Sequence, residues 1–158
     1  MKIGNNNNVG ITGEFYVLAQ LTQRGFVATL TFGNTKKIDI LVANEKINKI
    51  FKVEVKTSNR KLGRDLLFSK DPIYKWAMQD KHETIIDNNL IYCFVQINSD
   101  DSLPEFFLVP SKDVAQYVKW QHKFWMKSRN GNDSPMRNFR IEQSDPKKYR
   151  NNWRIFNK

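Results

Sequence analysis

Apolar residues recur along the chain with two different periods, and the change from one to the other marks out its elements. Over residues 11–26, ITGEFYVLAQLTQRGF, they return at three- and four-residue steps, which predicts a helix with Thr12 as N-cap and Gly25 closing it. Glu14 shares a face with Leu18 and Leu21 there, so its carboxylate points with the apolar stripe. The preceding GNNNN is too polar to pack, and order is expected to begin near Val9, with residues 1–8 flexible.

Period two takes over in FVATLT, KIDILV and IFKVEVK, which read as three strands separated by the turn-rich FGNTK and ANEKINK. Asp71 and Pro72 form an N-cap and first-turn pair that predicts a helix through IYKWAMQDKH. LIYCFVQI is apolar almost throughout, the pattern of a central strand covered on both faces. A turn with Asp100, Asp101 and Pro104 leads to EFFLVP, its expected hairpin partner. Ser111 then caps a helix, KDVAQYVKWQHKFWMK, packed through Val114, Val118 and Trp125. After the loop NGNDSP, a final helix is expected over DPKKYRNNWRIF, with Tyr149, Trp153 and Phe156 on one face. The sum is an α/β domain spanning residues 1–158, a central mixed sheet flanked by helices, with residues 111–158 as a basic helical extension.

Charge sharpens this picture. The formal net charge is +10, and twelve Lys and Arg against four Asp and Glu lie between Lys112 and Lys158. A domain this basic attracts polyanions such as nucleic acid, the alternative being that its basic residues only keep a surface soluble. No apolar run approaches the roughly 18 residues of a membrane span. With a start lacking a signal-peptide pattern and Cys93 the only cysteine, a cytoplasmic location is the expectation.

The hairpin raises a chemical question. Phe51, Val53 and Val55 face one way, so Lys52, Glu54 and Lys56 face the other. With the turn centred near Lys46 and Ile47, Asp39 falls opposite Glu54, and cross-strand neighbours on one face lie only about 5 Å apart. Two carboxylates held this close call for a cation. Mg²⁺, with Mn²⁺ as substitute, meets that need, because it takes one or two carboxylates together with waters and phosphate oxygens. The Val55 carbonyl is a further candidate ligand, and Lys56 would stand beside the reacting phosphate to orient water and neutralise charge. The alternative is a cross-strand salt bridge on a solvated face. For Glu14 the choice lies between a catalytic role, holding a metal-bound water or a second metal, and a carboxylate favoured near a helix N-terminus by the dipole.

The order of Glu14 in a helix, Asp39 in a strand and Glu54-Val55-Lys56 in the next resembles the PD-(D/E)XK nuclease superfamily, the restriction-endonuclease-like fold. GITGEF, KIDILV and VEVKTS look most like Holliday junction resolvases of archaea and related bacterial nuclease-like proteins. Ile38 stands where the name-giving pattern has proline. The resemblance implies an αβββαβ core and a Mg²⁺-dependent endonuclease acting on DNA, with Asp39 and Glu54 as metal ligands and Lys56 as the catalytic lysine. Single-site folds of this kind commonly pair to cut both strands, so a homodimer is a further expectation. An inactive descendant that binds nucleic acid or a protein is the alternative function.

Arg60, Lys61 and Arg64, just past the hairpin, are candidates to hold the scissile strand, with Lys119, Lys123, Lys127, Arg150 and Arg154 as further phosphate contacts. Trp120, Phe124, Trp125 and Trp153 either stack unpaired bases or, at helical spacing, pack a core. His82 and His122 read as surface histidines and Cys93 as a core residue.

Overall fold

The computed structural model describes residues 6–31, 38–99, 102–128 and 133–158. Residues 1–5, the whole FGNTK turn with Lys37, the Asp100–Asp101 turn, Arg129 and the first part of NGNDSP lie outside the described residues.

The first helix, α1 (Asn6–Gln23), begins earlier than the expected Val9. Thr12 therefore sits inside it and is no N-cap: its hydroxyl donates to the Asn8 carbonyl, 2.6 Å, one turn back. Gly25 ends it as expected, with a φ of 81° that suits a residue lacking Cβ. Strands β1 (Val27–Leu30), β2 (Ile40–Asn44) and β3 (Lys49–Ser58) form an antiparallel meander. Between β2 and β3, Asn44 accepts the Lys46 N–H and Asn48 takes a left-handed φ of 49°, the two features that turn the chain tightly.

The segment expected to be a helix after Asp71-Pro72 is instead a strand, β4 (Ile73–Gln79). Tyr74, Trp76 and Met78 are buried while Lys75, Ala77 and Gln79 point outward, a period of two that overrides the N-cap reading. Asp71 accepts the Ser144 hydroxyl, 2.8 Å, a bond between loops. A short 3-10 turn follows over Asp80–Glu83. Strand β5 (Leu90–Gln96) is buried along its whole length, as expected, and runs parallel to β3; β6 (Glu105–Pro110) is the expected antiparallel hairpin partner of β5.

Helix α2 (Ser111–Ser128) buries Val114 and Val118 but leaves Trp125 partly exposed. The chain then makes a strand that the sequence reading lacks, β7 (Met136–Glu142), antiparallel to β4. The expected final helix is a correction too. Asp145, Lys148 and Asn151 all have positive φ, which no right-handed helix accommodates, and only a 3-10 turn over Trp153–Asn157 forms.

The result is a mixed α/β fold with a five-stranded sheet in the order β1-β2-β3-β5-β6 and a two-stranded sheet of β4 and β7. One face of the larger sheet (Val53, Val55, Ile91, Cys93) packs against Val17 and Leu21 of α1 and against Trp153 and Phe156. The other (Tyr92, Phe94, Phe107, Val109) packs against β4, β7 and α2. Among the described residues no helix is long and apolar enough to cross a membrane.

Candidate active site

The last pair of the β2–β3 ladder is Ile40 with Val53, so the next step along the register brings Asp39 to the level of Glu54. The strand is bent there. The Asp39 N–H donates to the Val53 carbonyl, 2.9 Å, although Val53 already faces Ile40, and two residues crowded onto one make a bulge. The bulge turns the Asp39 side chain into the plane of the sheet, where its Oδ2 accepts the Val55 N–H at 2.6 Å. A carboxylate thus stands where the next residue of β2 would have offered its carbonyl. In a strand the N–H and C=O of one residue point to the same side, so the Val55 carbonyl also faces this opening beyond the ladder.

Glu54 lies on the face turned toward β4 and β7 and is only 4% exposed. Its Oε1 meets the Lys56 Nζ at 2.6 Å and the His82 Nε2 at 3.4 Å, while its Oε2 is buried with no hydrogen-bond partner. Burial by itself raises the Glu54 carboxyl, but the hydrogen bond from His82 and the Lys56 ammonium outweigh it and hold the group at about 2. A cross-strand salt bridge on a solvated face does not describe this residue.

Glu14 reaches the same opening from the other face. Helix α1 comes so close to β3 at Gly13 that a Cβ there would stand 1.9 Å from Thr57 Oγ1. The next residue, Glu14, is carried within electrostatic range of Asp39 and Lys56. Burial pushes its carboxyl above the ordinary value, and Asp39 adds to the rise. Asp39 is likewise raised, by burial first, against the lowering pull of the Val55 N–H and Lys56. Two carboxyls raised by burial and crowding, beside one that keeps its charge, form an arrangement that a hard cation would relieve.

Glu54 Oε2 is an unfilled buried acceptor, and Asp39 commits one oxygen to the main chain and keeps the other. These donors fit a divalent ion that retains waters. Among the described residues no group of three or more His, Cys, Asp and Glu gathers to hold a metal unaided.

The structure brings Glu14, Asp39, Glu54, Val55 and Lys56 together at one end of β3, with Arg60, Lys61 and Arg64 exposed on the loop that follows. Lys119, Lys123 and Lys127 form an exposed row on α2, and Arg154 is exposed on the C-terminal 3-10 turn. Arg150 is engaged elsewhere: its guanidinium lies 3.4 Å from Glu105 and donates to the Tyr74 hydroxyl, 3.2 Å. Of the aromatic group, Trp153 is core, while Trp120 and Phe124, both part-exposed, stack on one another with centroids 5.6 Å apart and meet Phe68 edge to face. Cys93 is fully buried and burial pushes its thiol up, as befits a core residue.

One residue of the site escaped sequence reasoning. His82, read as a surface histidine, is 2% exposed and touches Glu54. No local signal betrays it, because it reaches Glu54 only through the crossover between β3 and β5.

The mixed α/β architecture has a counterpart among solved structures. The chain is similar to a bacterial homing endonuclease, I-Ssp6803I, with a TM-score of 0.58 over 98% of this chain and 94% of that one, at 14% sequence identity. No family model matches the chain, and no curated protein matches it either.

Proposed function

We propose that this protein is a divalent-metal-dependent DNA endonuclease with a PD-(D/E)XK-type site. The observation that carries the reading is the meeting of Asp39, Glu54 and Lys56 at a bulged end of the β2–β3 ladder, with Glu54 buried and one of its oxygens unfilled. The fold the chain shares with a bacterial homing endonuclease supports the reading.

Asp39, Glu54 and the Val55 carbonyl would hold Mg²⁺, or Mn²⁺ in its stead. When bound, the ion supplies positive charge to the phosphate oxygens and acidifies water. The protein's own groups do the rest. The Val55 N–H fixes the Asp39 carboxylate. The Lys56 ammonium, 28% exposed at its side chain, remains accessible to a phosphate and offsets the charge that grows as water adds to phosphorus and the ester P–O bond breaks. Arg60, Lys61 and Arg64 hold the strand to either side of the scissile bond. Cutting both strands of a duplex calls for two such sites, hence two copies of the chain.

The test is cleavage of supercoiled, linear, single-stranded and branched DNA with Mg²⁺, Mn²⁺ or EDTA, beside Asp39→Ala. Metal-dependent cutting that the variant lacks is the expected result. DNA binding with no cutting in any metal would reject the reading in favour of a binding module.

A further inference from the structure

His82 is held more firmly than a buried spacer needs to be. It sits on the 3-10 turn after β4, brought over the larger sheet by the crossover from β3 to β5. Its Nδ1 lies 3.0 Å from the Gln79 nitrogen and 2.9 Å from the Gln79 carbonyl oxygen. Nδ1 thus meets both polar groups of the Gln79 main chain, and Nε2 faces the Glu54 carboxylate, which can only accept, so that contact uses a proton on Nε2. The Tyr92 ring, on the residue paired with Glu54 across β3 and β5, meets the imidazole edge to face, 6.0 Å between centroids at 68°. The ring is therefore held at its back and its side, with one polar atom left to act.

Glu54 needs such a partner. Its other neighbours are Lys56, a flexible and partly exposed side chain, and the buried Tyr92 hydroxyl, which interacts with the carboxylate without a hydrogen bond of full geometry to it. A mobile lysine and a hydroxyl that can turn about its own C–O bond leave the carboxylate free to rotate about its last bond. An imidazole clamped to the main chain of a different sheet resists that rotation. Packing alone would be served as well by leucine, without the cost of burying two ring nitrogens.

Resting on the nuclease reading above, we propose that His82 is a positioning residue: through Nε2–H it fixes the Glu54 carboxylate in the orientation that receives the divalent ion. The role is second in line, since His82 touches Glu54 and not the substrate. Groups in this position on metal ligands are worth about 10- to 100-fold in metal affinity.

The experiment measures Mn²⁺ binding by the full chain without DNA, metal-free DNA affinity, and cleavage against Mn²⁺ concentration. These are compared in the wild type, His82→Leu, His82→Gln, His82→Asn and Asp39→Ala. His82→Leu is expected to weaken Mn²⁺ binding about 10- to 100-fold. It should raise the Mn²⁺ needed for half-maximal cleavage in step, while metal-free DNA affinity stays as in the wild type. Gln carries its amide near the place of Nε2 and Asn near that of Nδ1, so Gln is expected to restore Mn²⁺ binding and Asn is not. That order also decides the matter if His82→Leu does not fold, and equal Mn²⁺ affinity in the Gln and Asn variants would overturn the proposal. A folded His82→Leu that binds Mn²⁺ like the wild type, while Asp39→Ala does not, would remove the role of His82 and leave the nuclease reading standing. Absence of Mn²⁺ binding in the wild type would end both.

Discussion

Gly13 and Thr57 hold α1 and β3 in contact: a Cβ on Gly13 would lie 1.9 Å from Thr57 Oγ1, so only glycine lets the helix come this close. The approach also carries Glu14 to the edge where Asp39 and Lys56 meet. Alanine is the better helix former by about 1 kcal/mol. Gly13→Ala is nevertheless expected to destabilise the protein by about 1–3 kcal/mol through overpacking. Gly10→Ala, in the same helix with nothing within 4 Å of the added carbon, is expected to stabilise it. Urea unfolding of the two variants should give shifts of opposite sign, and shifts of the same sign would mean that the close approach does not govern the helix position.

Asp39 has a structural bond and a proposed chemical duty, and two substitutions separate them. Asp39→Asn keeps an oxygen for the Val55 N–H but loses the charge, so it is expected to fold nearly as well as the wild type and fail to bind Mn²⁺. Asp39→Ala loses both and should be less stable than Asp39→Asn by about 1–3 kcal/mol. Saturating Mn²⁺ should add about 2.7 kcal/mol to the wild type at a hundred times its dissociation constant, and nothing to either variant. Thermal melts with and without the ion provide the measurement.

Acid should act on the protein through Glu54. Its carboxyl is held at about 2 in the folded state against an ordinary 4.5, so the folded protein binds this proton more weakly than the unfolded chain. The resulting stability is present in full above about pH 5 and drains away as pH falls through 4.5 toward 2, on the order of 3 kcal/mol in all. Glu14 and Asp39, raised above their ordinary values, work in the opposite sense and make the slope shallower. Glu54→Gln should be less stable than the wild type at pH 7, with the gap narrowing from about pH 5 down to about pH 2. A constant gap would mean that His82 and Lys56 do not perturb Glu54.

The loop after β3 should bind phosphate without reading bases. Replacing Arg60, Lys61 and Arg64 together by alanine is expected to weaken DNA binding alike for all sequences. The slope of log affinity against log salt should fall by about 0.9 for each phosphate that is no longer neutralised. An unchanged slope would remove this loop from the DNA path.

The site was legible where its signal is local. The β2–β3 hairpin announces itself by alternation and a short turn, and Glu54, Val55 and Lys56 follow from that period alone. The central β5 is as plain, being apolar throughout. β4 carried its alternation too, in Tyr74, Trp76 and Met78, but the Asp-Pro pair before it reads as a helix start and hid the strand. β7 was concealed by Arg137 and Arg140, which are buried because Glu83 and Asp65 meet them from distant segments. His82 belongs with these, since its meaning depends on a neighbour 28 residues away.

The parallel pairing of β3 with β5 bears on the order in which the protein comes into being. The two carboxylates share one hairpin, which can close early from neighbouring sequence. Their buried surroundings cannot: Tyr92 arrives with β5, His82 with the long crossover, and β7, near the far end of the chain, closes the second sheet over them. A chain halted during synthesis after the hairpin holds the acidic residues in open water, without the enclosure that orients them. On the nuclease reading, the capacity to damage DNA is thereby withheld until the whole molecule has been made.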